Sequence, residues 1–145
     1  MGVEAGATRR GEMVGEMVRL FAARGYEVRG AAGVEGIDPP PAIRNEGFGS
    51  GKPHRPDVIG FDKQPGRIVF GLVRETRKDL DTEGSLEEYN VFLDHNATLG
   101  DRASLLLVLM PPALISEFTA ILTHYIHRDY WYRVLPVASS LPEKT

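Results

Sequence analysis

The sequence contains no cysteine. That excludes zinc sites built on thiolates and thiol catalysis, and it suits the cytoplasm, where we expect the chain to work. There is no long hydrophobic run either: the longest, around residues 105–110, is far too short to cross a bilayer. The first residues show no cationic stretch leading into an apolar one, so no secretory signal is expected. Nor is there an excess of positive charge, since 17 Lys and Arg against 20 Asp and Glu give a formal net charge of −3. A dedicated nucleic-acid coat would be basic, because phosphate neutralisation dominates such affinity. The mild acidity counts less against a nuclease, whose metal-binding carboxylates can be offset by a local basic patch.

What is present is ordinary globular material. The 145 residues, 42% hydrophobic and 26% charged, fit a single domain over residues 1–145 with one core, needing neither disulfides nor a structural metal. Between residues 8 and 24, Met13, Met17, Leu20 and Phe21 recur at helical spacing, with Val14 and Val18 widening the stripe, and Gly25 stands where a helix stop would. Residues 26–29 read as a short strand. The pattern then disappears over residues 30–55, which hold Pro39-Pro40-Pro41 and a glycine-rich stretch from Glu46 to Lys52 and read as a long flexible loop. The last part of that loop, with Arg44, Lys52, His54 and Arg55, is locally basic.

Two runs then look like a hairpin: residues 57–61, a polar turn over 62–66, and residues 67–73. The second is apolar on both alternating faces, which predicts a central strand covered on both sides. Asp81 to Ser85 offers several N-caps for a helix over 86–95, residues 105–109 read as a buried strand, and 113–127 resume helical spacing through Leu114, Phe118, Ile121 and Tyr125. Residues 130–137 read as a last strand and 138–145 as a disordered tail. The predicted order is αβββαβαβ, an α/β chain.

That order, with Pro56-Asp57 at the start of the second strand, resembles the core of the PD-(D/E)xK, or restriction-endonuclease-like, nucleases. Gly49-Ser50-Gly51-Lys52 just before it is similar to the stretch preceding Pro-Asp in archaeal Holliday-junction resolvases. The resemblance covers about residues 8–127 and implies a central mixed β-sheet flanked by helices. It also implies two carboxylates holding Mg2+, with a third-strand lysine that positions or polarises the attacking water.

The third strand departs from that pattern. Aligned on Gly71, the acidic position is Leu72 and the lysine position is Arg74. Leu72 cannot ligate a cation, and Arg74 stays protonated and cannot act as a base. A three-residue shift brings Glu75 and Arg77 to the two positions, but by alternation both share the face of Val73 rather than that of Leu72. The strand would then need a bulge to extend into the polar run. The Leu72 register is preferred, and the other stays open. In the register with two carboxylates, Asp57 and Glu75 would bind Mg2+, Arg74 or Arg77 would stabilise phosphate charge, and Lys52, Arg55 and Arg44 would face DNA.

Other signals have plainer readings. The stretch from Glu46 to Lys52 lacks the first glycine and the final Ser or Thr of a phosphate loop. Glu12 and Glu16 fall away from the apolar stripe and read as solvated. His124 and His127, three apart on one predicted helix, could face the same way, but no third metal ligand is apparent nearby, and His95 beside Asp94 reads as a helix end. The acidic run from Asp79 to Glu88 suits the N-terminal end of a helix dipole. Tyr130-Trp131-Tyr132 reads as core packing or a dimer surface rather than base stacking.

Three functions follow, in order of preference. The first is a nuclease-like module, related to DNA processing, whose metal site is degenerate. The second is an active, resolvase-like Mg2+-dependent DNA endonuclease using Asp57 and Glu75, with branched DNA among its expected substrates. The third is a protein-interaction module, self-associating as a homodimer or binding another protein through the edge formed by residues 130–137.

Overall fold

The structure, a computed structural model, describes residues 8–44, 52–64, 66–99 and 103–142, the side chains of 96–99 excepted. Helix α1 (Arg9–Ala23) begins where Thr8 accepts a bond from the Gly11 N–H, and it ends at Gly25, whose φ of 83° only glycine adopts without strain. The strands are β1 (Glu27–Ala31), β2 (Val58–Asp62), β3 (Arg67–Val73), β4 (Leu105–Met110) and β5 (Val134–Ala138), and the remaining helices are α2 (Glu83–Leu99) and α3 (Ile115–Tyr125). They form one mixed sheet in the order β1-β2-β3-β4-β5, the first three antiparallel and the last three parallel. An α/β architecture with a mixed sheet flanked by helices is therefore what this sequence builds.

The two faces of the sheet bury separate cores. Met13, Met17 and Phe21 of α1 pack with Val58, Val69, Val73, Leu105, Leu107 and Leu109, while Tyr89 and Phe92 of α2 and Phe118 of α3 pack with Phe70, Leu72, Leu106, Val108 and Met110. Period-two alternation assigns each strand residue to one side. Every residue of β4 is buried because both sides are covered, which explains its unbroken apolar run.

Helix α1 packs on the sheet over glycines that leave room for its side chains. A Cβ at Gly60 would fall 2.8 Å from Phe21 Cδ2 and 2.9 Å from the Glu27 carbonyl oxygen; at Gly71 it would meet Met17 Cγ at 3.0 Å. These neighbours place the ring of Phe21 over β2 and Met17 over β3.

Where elements differ from expectation, tertiary bonds explain it. Residues 130–133 belong to a 3-10 turn, Arg128–Arg133, and not to the last strand. The Trp131 indole N–H donates to the Ile126 carbonyl at 2.9 Å, and buried Arg133 donates to the carbonyls of Ser104 and Leu93, each at 3.0 Å. Those bonds outweigh the strand preference of the aromatic triplet. His127 lies beyond the end of α3 and accepts from the Asp129 N–H, so it does not share a helix face with His124.

In the stretch expected as a tail, Ser139 and Ser140 are held by Glu16 of α1, which accepts both hydroxyls and the Ser140 N–H at 2.7–2.8 Å. Glu16 is thus a clasp rather than a solvated charge; burial raises its pKa, but these bonds and Arg19 outweigh that and hold it below the ordinary value. Residues 143–145 lie outside the described residues, as do 45–51 of the expected loop. The first two residues of that expected loop, Gly30 and Ala31, instead end β1 by pairing with β2, and the rest of its described part is irregular, closed by a two-bond bridge between Ile43 and His54.

Gly60→Ala should lower stability by about 1–3 kcal/mol in urea denaturation, because the Glu27 backbone cannot move aside. That exceeds the roughly 0.5–1 kcal/mol alanine would otherwise contribute in a strand. Gly71→Ala should cost less, since the flexible Met17 side chain can give way.

Candidate functional site

Asp57 precedes β2 and is fixed by its own backbone before its side chain acts. Its N–H donates to the Gly71 carbonyl at 2.9 Å and its carbonyl accepts from the Ala32 N–H at 2.8 Å, so it is held between β1 and β3. Asp57, 4% exposed as a residue, turns its carboxylate toward the end of β3. One oxygen accepts from the Val73 N–H at 2.9 Å and the other from Arg10 Nη2 at 2.5 Å. Burial pushes the Asp57 pKa up; Arg10, the Val73 N–H and Arg74 oppose this without cancelling it, and the net direction is upward.

Arg74, just past β3, is likewise buried. Its N–H continues the ladder by donating to the Leu109 carbonyl at 2.9 Å. Its guanidinium donates to the Tyr89 hydroxyl at 3.1 Å and to Glu88 at 2.7 Å, while lying over the Tyr89 ring. Tyr89 in turn donates to the Leu80 carbonyl at 2.8 Å. Burial works to lower the Arg74 pKa, but Tyr89 and Glu88 outweigh it, so the group is held firmly as a cation. His54 extends the network, with Nε2 2.7 Å from Glu87 and Nδ1 3.6 Å from Glu88.

The structure therefore brings Asp57 and Arg74 to one corner, and the other expected residues make no bond to either side chain there. Leu72 is buried in the core under α2 and α3. Glu75 is half-buried, with no side-chain hydrogen bond or ion pair to another described residue. Arg77 is exposed and pairs with Glu117 of α3 and with Asp81. Arg55 donates to the Pro40 carbonyl at 2.6 Å, Arg44 is exposed on the described part of the loop, and Lys52 lines a cavity of about 240 Å3 with Glu83 and Glu87.

Mg2+ requires several oxygen ligands in near-octahedral geometry. At Asp57 both oxygens already accept bonds, one from a cation, and in the Leu72 register the motif position on β3 is a buried leucine. Among the described residues no three His, Asp or Glu side chains are grouped as a metal ion would need. In that register the donor set does not fit the ion that the motif resemblance implies.

Sequence reasoning missed Arg10, Glu88 and Tyr89 as members of this corner. Arg10 lies 47 residues before Asp57, and no periodicity links them. Glu87 and Glu88 looked like dipole charges at a helix start, whereas they face His54 and Arg74. Asp94 accepts from the Tyr130 hydroxyl; that bond first, then burial, pushes Tyr130 up to about 12.

Two measurements probe the corner. Arg74→Ala leaves Glu88 and Tyr89 without their buried partner and should lower stability by about 3–5 kcal/mol, with Arg74→Lys losing less. The raised pKa of Asp57 means the folded state binds its proton more readily than the unfolded chain does. Below neutrality, through the range above the ordinary aspartate value of about 3.9, wild type should therefore gain stability relative to Asp57→Asn. The opposite trend in urea midpoints would show that Arg10 and the Val73 N–H outweigh burial. No family model matches this chain, and no curated protein or solved structure matches it either.

Proposed function

We propose that this chain is a non-catalytic module of the PD-(D/E)xK, restriction-endonuclease-like kind, in which an ion pair has replaced the metal site. Support for the kind comes from the element order αβββα followed by a parallel fourth strand, with Pro56-Asp57 immediately before β2, which pairs with the central β3. One observation carries the non-catalytic reading: the motif carboxylate of Asp57 is neutralised by Arg10, while in the preferred register the second carboxylate position is a buried leucine. A guanidinium at hydrogen-bond distance supplies the positive charge a metal would bring, but it offers no Lewis acid and no activated water. Arg74 cannot serve as a base, because it is locked as a cation by Glu88 and Tyr89.

A second reading, an active Mg2+-dependent DNA endonuclease using Asp57 and Glu75, draws on one feature. Glu75 is half-buried near the end of β3 and has no described partner. Arg77, its companion in that register, is instead paired toward α3.

Calorimetric titration with Mn2+ and Mg2+, run beside cleavage assays on linear and branched DNA, separates the two. The non-catalytic reading expects no saturable metal heat and no cleavage by the wild-type protein. Metal-dependent cleavage that Asp57→Ala abolishes would overturn it in favour of the endonuclease.

A further inference from the structure

The described part of the connection between β1 and β2 is irregular, so its position depends on a few identifiable bonds. Its two arms are joined to each other. The Ile43 N–H donates to the His54 carbonyl at 2.7 Å, the His54 N–H donates to the Ile43 carbonyl at 2.8 Å, and Arg55 donates to the Pro40 carbonyl at 2.6 Å. The joined arms are then attached to α2 by the side chain of His54. Its Nε2 lies 2.7 Å from a Glu87 oxygen and its Nδ1 lies 3.6 Å from a Glu88 oxygen, with the side chain only 12% exposed. Ile43 adds an apolar anchor in the core shared with α2 and α3.

The two ring nitrogens face two carboxylates, and the ring can serve both in only one of its states. A neutral imidazole carries one N–H and one lone pair, whereas the cation carries two N–H groups. The Glu87 bond is open to both forms, because Nε2 bears its hydrogen in one neutral tautomer as well as in the cation. The Glu88 contact is not. At 3.6 Å it is too long for a hydrogen bond, so it is a contact of charge and attractive only when the ring is positive. In the neutral tautomer that bonds Glu87, Nδ1 turns a lone pair toward that oxygen. Glu88 is held in place, since its other oxygen accepts from Arg74 at 2.7 Å and Arg74 is bonded to Tyr89 in turn. The remaining charges close to this contact are accounted for. Arg74, at the end of β3, reaches the ring through Glu88, Lys52 lines a cavity with Glu83 and Glu87, and Arg55 is turned to Pro40.

We infer that His54 is a proton-operated latch: as the imidazolium it fastens the connection between β1 and β2 to α2, and on losing its proton it lets that connection loosen from the helix. The attachment is complete on the acid side and weakens as pH rises, because the contact with Glu88 requires the proton. The inference does not depend on whether the Asp57 corner holds a metal, and its test reads local opening, not metal binding or cleavage. The amide hydrogens of Ile43 and His54, which make the two bonds of the bridge, report the latch directly. Their hydrogen exchange is followed by NMR from about pH 5 to 8, the interval in which histidine changes charge, and corrected for the intrinsic pH dependence of exchange. In the wild type their protection should fall about tenfold as pH rises, while that of the β4 amides holds. His54→Gln keeps an N–H donor for Glu87 but has no charge to lose, so protection at Ile43 should no longer vary with pH. Glu87→Gln removes one of the two carboxylates and should make the fall smaller. Protection at Ile43 that is flat across the range in the wild type overturns the inference. A fall that persists undiminished in both variants overturns it as well, because the proton would then belong to another group such as Asp57.

Discussion

A carboxylate sealed from water at the meeting point of three strands and a helix has to be compensated, and Asp57 is that carboxylate. Leaving it ionised and unpaired would cost several kcal/mol. Arg10 brings charge from the start of α1, Val73 brings a backbone N–H from the end of β3, and Ala32 and Gly71 hold the Asp57 backbone from either side. The position of α1 over the sheet, the register of the β2–β3 pair and the path of the chain after β1 all converge there. The glycines under α1 serve the same geometry, since the helix can reach the sheet only where Gly60 and Gly71 leave room for Phe21 and Met17.

A second polar cluster sits beyond β3 and is built on the same logic from the opposite side. Arg74 is a buried cation with Glu88 as its charge partner and the Tyr89 hydroxyl as a further acceptor, and His54 ties the irregular segment before Asp57 to the same helix. Together the two clusters place satisfied ion pairs on either side of the end of β3. Buried pairs of this kind do not add much net stability over an apolar packing, but removing one member is destabilising. That asymmetry favours keeping the residues without requiring that they do chemistry.

Much of the architecture was legible in the sequence. The helical spacing of Met13, Met17 and Phe21, the double-sided apolar run of β3 and the unbroken one of β4 each follow from a repeat that a backbone element imposes. What could not be read was any contact between residues far apart in the chain: Arg10 with Asp57, Glu88 with Arg74, Glu16 with Ser139. No local pattern encodes such pairs, because either partner alone looks like a surface charge. The aromatic triplet misled for a related reason. Its strand propensity is local, whereas the bonds that coil residues 130–133 reach to Ile126, Leu93 and Ser104.

The account rests on Arg10 and Asp57 acting as a structural pair. A double-mutant cycle with Arg10→Met, Asp57→Asn and the combined variant, read by urea denaturation at neutral pH, measures their coupling directly. Arg10 is about half exposed, with a side-chain exposure of 49%, so screening reduces the value expected of a fully buried pair. A coupling of about 1–2 kcal/mol is the predicted result. Additive single variants, with no coupling beyond error, would contradict the account, because Asp57 would then be free of Arg10 and open to another cation.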